Sequence, residues 1–464
     1  MNIGFLKIIK SRVRLMEDQD YKEWIKNSGV SFLLRLVSFL LLNALSFYIA
    51  KVYGAAELGV YSLSFSILSI SLVVVLIGTD TAVIRMVSEH AGNGGAGVAA
   101  KIVNRVLQLV LPVSVAAGAI LYLQSDWLAH FVFPGTLSAG AIQIVALILP
   151  FFALSRLHAA AFRALQHFAH SILFEIIWIR FGYLGLMMLA TGIIGKRNSI
   201  VLATLAIIVV GNGIWSITAW RLKMCKGNRS GSLEHTYEKP GLKQILALSA
   251  PMYLTSSMYV LMDWTDSLMI GIFGSAEDVG VYNLIAKLSI LTCFATESIN
   301  TFLVPKFSEL FWGDKQADLQ KMIRFSTKLG FWTSVPVILL TVLFAPYFLP
   351  LFGAKFTTGT TALILLCFGQ LVNSLTGSVI PLLNMTGHQK KSKNILLVST
   401  ISNVILNPLL IPIFGMAGAA LATAVSIAIR DVAASYCTWR IFRFPTWYPS
   451  FLANVVSLHR MEAE

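Results

Sequence analysis

The sequence has 464 residues, of which 56% are hydrophobic and only 12% are charged, and its mean hydropathy is +0.74. A soluble protein carries about twice that charged fraction, so the composition excludes a soluble globular protein. A net charge of +14 would indicate nucleic-acid binding in a soluble protein, but here the bases collect between apolar runs, as in membrane proteins. We therefore expect a lipid bilayer around the chain and no nucleic-acid partner.

Apolar runs of about 20 residues recur along the whole chain, and each is long enough to cross the bilayer core as a helix. Their length and continuity predict an all-α polytopic membrane protein. Twelve spans are predicted, at residues 28–50, 60–80, 102–123, 141–162, 171–193, 199–220, 242–264, 281–304, 325–345, 359–380, 393–413 and 415–438.

The distribution of Lys and Arg predicts how these spans are oriented. With twelve spans, 27 of the 36 bases fall in the two terminal tails and in the loops on the same side, whereas four fall in the opposite loops. Because cytoplasmic loops carry the excess of bases, both termini are predicted to be cytoplasmic. The basic tail 1–27 either lies on the membrane surface as an amphipathic helix or is solvated, and its polarity indicates no cleavable signal peptide.

Two stretches of the chain resemble each other: YGAAELGVYSL at Tyr53–Leu63 and FGSAEDVGVYNL at Phe273–Leu284. A shift of about 221 residues superposes these and further matches across six spans, which predicts two pseudo-symmetric six-helix halves in parallel orientation. Repeats of this kind place a transport path at their interface. The predicted domains are a cytoplasmic tail 1–27, a first half 28–221, a cytoplasmic linker 222–241, a second half 242–441 and a cytoplasmic tail 442–464.

The chain resembles the multidrug/oligosaccharidyl-lipid/polysaccharide exporter superfamily, and within it the Wzx-type polysaccharide (O-antigen) flippases. The residues that carry the resemblance are Tyr53-Gly54, Leu58-Gly59-Val60-Tyr61, Gly78 to Arg85, Asp266, the loop ending in Gly280-Val281-Tyr282, and Ala286-Lys287-Leu288. The resemblance implies a V-shaped exporter fold in the bacterial cytoplasmic membrane. It also implies an undecaprenyl-pyrophosphate-linked oligosaccharide as substrate, moved to the outer leaflet, with polysaccharide polymerase and ligase proteins as further candidate partners.

Bases inside the predicted spans are candidates for binding the pyrophosphate, whose oxygens accept bidentate guanidinium hydrogen bonds. Arg35 shares a stripe of span 1 with three serines, so it either faces a cavity or forms an ion pair with another span. Arg156 and Arg163 are seven residues apart and share a face of span 4, although Arg163 could instead extend to the membrane surface. Lys287 follows the second copy of the repeated stretch and completes this set.

Acids inside the spans are candidates for coupling transport to an ion. Asp263 and Asp266 are three residues apart on one side of span 7, where mutual repulsion and burial are expected to keep one of them protonated. The pair is therefore a candidate site for H⁺ or Na⁺, unless water or Lys287 satisfies it near the outer end of the span. Glu297 in span 8 is a further candidate. Arg430 and Asp431 are adjacent, and we expect them to diverge and to have structural partners elsewhere.

The leading hypothesis is a lipid-linked oligosaccharide flippase that works by ion-coupled alternating access. The alternative is a cation-coupled multidrug exporter of the same superfamily, and five intramembrane bases against five acids do not decide between them. No outer loop reaches 20 residues or offers a nucleophile with a base, and no Walker motif is present, so an enzyme is not expected. Four distant cysteines without a CxxC pattern indicate neither a disulfide nor a metal site, and no cofactor is expected.

Overall fold

The computed structural model describes residue 41, residues 43–90, 95–165, 170–171, 173–174, 178–227 and 241–447. Within these ranges the side chains of some helical residues, Glu297 among them, are not described. The described residues form helices joined by short turns, and no strand occurs among them. This arrangement satisfies backbone hydrogen bonds inside each segment, as a bilayer requires.

Residues 43–53 are helical and lead into the first copy of the repeated stretch. The helices that follow are α1 Ala55–Leu76, α2 Thr79–His90, α3 Gly95–Leu123, α4 Ala139–Ala164, α5 Trp178–Ile194 and α6 Ser199–Gly227. Between α3 and α4 the chain makes one helical turn, Ser125–Trp127, and a π-helical turn, Leu128–Val132.

The second part of the chain, from residue 241, is helical almost throughout. Its helices are α7 Leu242–Phe273, α8 Ala276–Leu291, α9 Phe294–Trp312, α10 Gln316–Phe348, α11 Thr360–Thr376, α12 Val379–Met385, α13 Gln389–Phe414 and α14 Met416–Phe442. Two 3₁₀ turns, Leu349–Phe352 and Ala354–Gly359, join α10 to α11. Helix α8 begins with a capping box, because Ser275 accepts from the backbone of Asp278 and the Asp278 carboxylate accepts from the backbone of Ser275.

Eleven of the twelve predicted spans coincide with helices, and span 28–50 lies mostly outside the described residues. Eight helices in the described part of the chain are long and apolar enough to cross a membrane, and Trp178–Ile194 is a shorter apolar helix. The predicted all-α polytopic fold is thus confirmed, and the chain is a multi-pass membrane protein.

One predicted span differs in detail. Residues 281–304 were expected to form a single helix, but the chain breaks at Thr292 and Cys293, between α8 and α9. Both residues donate their backbone N–H groups to carbonyls three residues back, Ser289 and Ile290, at 3.1 Å. These tighter turns interrupt the α-helix, and neither a proline nor a glycine stands at the break.

The described residues divide into two compact units by proximity rather than by chain order. Unit 1 takes its residues from Met1–Leu45, Val74–Ile120 and Ala146–Tyr253. Its interior contains an aromatic cluster on α4 and α6, in which Phe162 packs edge-on against Trp220 and His158 stacks on the same indole ring. The domain boundaries predicted from the sequence stay predictions.

Unit 2 takes its residues from Ser46–Val73, Leu121–Val145 and Leu254–Glu464. Small side chains let its helices approach closely, as is usual between membrane helices. A Cβ atom on Gly369 of α11 would lie 3.0 Å from the Cα of Ala424 on α14, and one on Gly418 would lie 2.3 Å from the Leu410 carbonyl oxygen. The tight packing of α11, α13 and α14 forms the framework that carries the site described next.

The two copies of the repeated stretch meet inside unit 2. A Cβ atom on Gly59 of α1 would lie 1.7 Å from the carbonyl oxygen of Ala276, and one on Gly280 of α8 would lie 1.9 Å from that of Ala55. The residues correspond pairwise at the repeat offset of 221, so the contact is reciprocal. Glycine is required at both positions because the two helix backbones touch there.

Candidate functional site

The carboxylate of Asp266 lies at the centre of a buried polar site between four helices of unit 2. Asp266 is on α7 and only 6% exposed. Its Oδ1 accepts hydrogen bonds from Nδ2 of Asn407 at 2.8 Å and of Asn403 at 3.3 Å, both on α13. Its Oδ2 accepts from the Tyr282 hydroxyl on α8 at 2.5 Å and from Thr423 on α14. Four neutral groups thus surround one intramembrane acid.

The two asparagines follow from the spacing of α13. Residues four apart share a helix face, so Asn403 and Asn407 reach the same carboxylate, and Asn403 Nδ2 also lies 3.1 Å from Thr423 Oγ1. The Oδ1 of Asn407 is buried, and among the described residues no hydrogen bond to it occurs. The same amide contacts Asp266 through its nitrogen, so the residue next to the carboxylate carries an unused oxygen atom.

Sequence reasoning singled out Asp266 but missed Tyr282, Asn403, Asn407 and Thr423 as its partners. The signal for the asparagines was present, because two amides at i and i+4 stand in the apolar run of span 11. Tyr282 was noticed only as part of the repeated stretch. The first copy has Tyr61 at the corresponding position, but Ser46 stands where the second half has Asp266, because the offset is 220 before the one-residue insertion in the second copy.

Asp263 lies one turn before Asp266 on α7, and its side chain is exposed in the isolated chain. It interacts electrostatically with Asp266 and with Arg430. The structure therefore brings the two predicted acids to neighbouring positions, but only Asp266 is enclosed.

Arg430 and Asp431 on α14 do not diverge as expected. Arg430 donates from Nε to Oδ1 of Asp431 at 2.7 Å and from a terminal nitrogen to Oδ2 at 3.0 Å, and Asn373 of α11 donates to the same Oδ2 at 2.8 Å. The long arginine side chain bends around the helix, so adjacent residues form a bidentate pair. The expectation that the two side chains diverge is wrong, whereas Asp431 does have a structural partner on another helix, Asn373.

Lys287 of α8 donates from Nζ to Ser46 Oγ at 2.5 Å. Ser46 is fully buried and belongs to the helical residues before the first copy of the repeated stretch. Lys287 lies five residues after Tyr282, which is about 140° around the helix, so the two side chains leave α8 in different directions. The hydrogen bonds that hold Asp266 come from the neutral groups named above.

The other predicted bases lie in unit 1 or outside the described residues. Arg156 and Arg163 are both half-buried on α4, seven residues apart. Arg35 and the side chain of Glu297 lie outside the described part. Because Arg156 and Arg163 belong to one unit and Lys287 to the other, their convergence on one cavity stays a prediction.

His158 is a packing residue between two helices of unit 1. It is buried on α4, and its Nδ1 lies 3.0 Å from the hydroxyl of Ser216 on α6. That hydroxyl donates its own proton to the Gly213 carbonyl at 2.8 Å, so it accepts from His158. The imidazole therefore joins α4 to α6.

Comparisons with known proteins agree with this fold. The sequence model of the family described as "Polysaccharide biosynthesis protein" matches residues 63–359. The chain is 22% identical over 400 residues to the "Probable low-salt glycan biosynthesis flippase Agl15" of Haloferax volcanii, an alignment that covers 83% of this chain and 77% of that protein.

Two solved structures share the fold over most of the chain. A multidrug resistance MATE family transporter of the MOP superfamily, in an inward-facing conformation, superposes with a TM-score of 0.70 and 12% identity over 89% of this chain and 98% of its own. The lipid II flippase MurJ superposes with a TM-score of 0.70 and 12% identity over 88% and 87%. Likeness at this level shows the exporter fold alone. Because the family match covers more than half of the sequence, the chain belongs to the polysaccharide biosynthesis protein family.

Proposed function

We propose that this protein flips an oligosaccharide linked to undecaprenyl pyrophosphate across the membrane for surface polysaccharide biosynthesis. The observation that carries the proposal is the match to the polysaccharide biosynthesis family, joined to a flippase relative aligned over 83% of the chain. A multi-pass fold with polar and charged groups between its helices supports transport rather than catalysis.

We further propose that the site around Asp266 binds the cation that drives this transport. One carboxylate and the oxygens of Asn407 and Thr423 form a set of hard ligands, and a single negative charge matches a monovalent cation. The buried, unused Oδ1 of Asn407 supports Na⁺, because a proton would need only the carboxylate. A proton is the second candidate, and the response to Na⁺ distinguishes the two.

The bases within the membrane-spanning region are proposed to hold the pyrophosphate. Arg156, Arg163 and Lys287 combine positive charge with positions on helices, Arg35 stands in the predicted span 28–50, and guanidinium groups bind phosphate oxygens in pairs. The proposal requires that the lipid tail stays in the bilayer while the charged head group crosses beside these side chains.

The proposed location is the bacterial cytoplasmic membrane, with both termini in the cytoplasm. The excess of Lys and Arg in one set of loops supports this orientation. A polysaccharide polymerase and a ligase are the proposed neighbours in the pathway, since the flipped unit must be consumed on the outer side.

A multidrug exporter is the second candidate, because a transporter of that class shares the fold with the same TM-score as the lipid II flippase. Gene deletion discriminates the two. Loss of the flippase leaves lipid-linked repeat units inside the cell and removes the surface polysaccharide, whereas loss of an exporter leaves the polysaccharide normal and sensitises the cell to drugs.

Complementation then tests the proposed bases and acid. Full-length protein should restore the polysaccharide, whereas Arg35→Ala, Arg156→Gln and Asp266→Asn should not. Lys355→Gln is the matched control, because it removes a base whose side chain is 69% exposed and paired with Glu277 at 2.8 Å. Normal polysaccharide in the deletion strain, together with drug sensitivity, would overturn the flippase proposal.

A further inference from the structure

Two opposite faces of helix α8 make different contacts, and the Gly280-Val281-Tyr282 motif contributes a residue to each face. The Tyr282 hydroxyl donates a hydrogen bond to Asp266 Oδ2 at 2.5 Å. Gly280, two residues earlier, touches the backbone of Ala55 on α1. Two residues correspond to about 200° around a helix, so the two contacts lie on opposite sides of α8.

The face that carries Gly280 makes a second contact with the first part of the chain. Lys287 lies seven residues after Gly280 and therefore on the same face, and it donates to Ser46 at 2.5 Å. One face of α8 is thus joined to residues 46–59 through a backbone contact and a hydrogen bond, while the other face is joined to Asp266. Every residue from Val279 to Ile285 is buried, so a shift at one face reaches the other.

A cation that binds Oδ2 of Asp266 must change the hydrogen bond that Tyr282 makes to that atom. The Oδ2 atom already accepts hydrogen bonds from Tyr282 and Thr423. Lone pairs that are directed at a cation are no longer available to those donors. The Tyr282 hydroxyl must then leave the carboxylate, which moves the side chain that ties α8 to α7.

We propose that Tyr282 is a positioning residue that couples cation occupancy at Asp266 to the contact of α8 with residues 46–59. The inference rests on the proposed ion-coupled transport and deepens it. It assigns different roles to the two copies of the motif: Gly59 and Gly280 share the helix contact, whereas Tyr282 donates to Asp266, and the position equivalent to Asp266 in the first half is Ser46. The helix contact is therefore symmetric in the repeat, whereas its control by the Asp266 site belongs to the second half alone.

The test separates cation binding from the helix contact. The four native cysteines of the full-length chain are first replaced by alanine. Spin labels are then attached to Lys51→Cys and Glu277→Cys, and the distance between the two labels is measured by dipolar electron paramagnetic resonance. Thermal unfolding of the same protein in NaCl and in choline chloride at equal ionic strength reports Na⁺ binding.

In the parent chain, Na⁺ should raise the unfolding temperature and change the distance between the labels. Tyr282→Phe should keep the Na⁺-dependent stabilisation, with an affinity within about threefold, and lose the distance change. Tyr61→Phe removes the same atom from the first copy of the motif and should keep both responses.

Three outcomes would overturn the proposal. The first is a Tyr282→Phe variant in which Na⁺ still changes the distance between the labels. The second is loss of Na⁺ binding in that variant, because the hydroxyl would then be a ligand, and the third is a parent chain in which Na⁺ does not change the distance. The flippase proposal is read separately from polysaccharide production in the complemented strain. A chain that restores polysaccharide production but shows no response to Na⁺ would contradict the proposed coupling and leave the flippase proposal intact.

Discussion

Gly59 and Gly280 occupy equivalent positions of the internal repeat and lie against each other's helix backbone. Their Cα atoms face the carbonyl oxygens of Ala276 and Ala55, which are themselves equivalent. A contact between main chains has little room to adapt, since neither a carbonyl oxygen nor a helix axis can rotate away as a side chain does. The repeated stretch is therefore constrained by contact as well as by sequence.

A methyl group at either glycine should separate α1 from α8. Gly59→Ala and Gly280→Ala would place a Cβ atom 1.7 Å and 1.9 Å from a carbonyl oxygen, and overpacking of this kind costs about 1–3 kcal/mol or more. We expect a lower unfolding temperature in detergent and loss of polysaccharide in complementation. Gly185→Ala on α5 is the matched control, because a Cβ atom there meets nothing within 4 Å; equal damage by all three would contradict the close contact.

Replacing Asp266 by its neutral isostere should remove the response to Na⁺. Asp266→Asn keeps the shape of the side chain but loses the charge that four neighbouring groups solvate. We expect the apparent Na⁺ affinity, measured by thermal unfolding, to fall by at least about tenfold, or about 1.4 kcal/mol. Asp263→Asn removes an equal charge one turn away, outside the enclosed site, and should weaken binding by less than that factor. A larger loss at Asp263 would reverse the assignment of the ligand.

The Arg430–Asp431 pair should behave as a structural unit. Arg430→Gln leaves the carboxylate of Asp431, whose side chain is 2% exposed, without its bidentate partner, and breaking a buried pair costs about 3–5 kcal/mol. The partial exposure of Arg430, 21%, places the expected loss at the lower end. The double variant Arg430→Gln/Asp431→Asn should recover most of the stability in thermal unfolding. Transport that stays absent in a stable double variant would instead assign Arg430 to the substrate.

Lys287 and Ser46 can be separated by paired substitutions. If Lys287 also meets the pyrophosphate during transport, Lys287→Gln should reduce polysaccharide production by at least about tenfold, the loss expected when a charged contact worth about 1.4 kcal/mol is removed. Ser46→Ala removes the acceptor of the Lys287 hydrogen bond but keeps the positive charge, and it should retain most of the activity. Equal losses in the two variants would assign Lys287 to the helix contact alone.

Much of the fold could be predicted from the sequence because hydrophobic length is a strong signal in membrane proteins. The spans and the repeat emerge from runs of about 20 apolar residues and a steady offset near 221. The break at Thr292–Cys293 could not be predicted, since no proline or glycine marks it and the bend depends on neighbouring helices.

The site was only half predictable. Asp266 stands out because a carboxylate in an apolar run demands an explanation. Its partners are neutral residues that are common in membrane helices, and nothing in their spacing tells which face of α13 or α14 meets α7. Arg430 was misjudged because residues adjacent on a helix point about 100° apart, a rule that holds for Cβ atoms but not for the tip of a long arginine.

The reciprocal contact of Gly59 and Gly280 has the character of an isologous interface, in which one surface patch meets its own copy. Two separate chains, each the size of one half and related by a two-fold axis, would make the same pair of contacts. Such a dimer would have to carry an acid in both subunits or in neither. Joining the halves in one chain lets Ser46 and Asp266 differ, so fusion permits a symmetric helix contact with an ion site in one half.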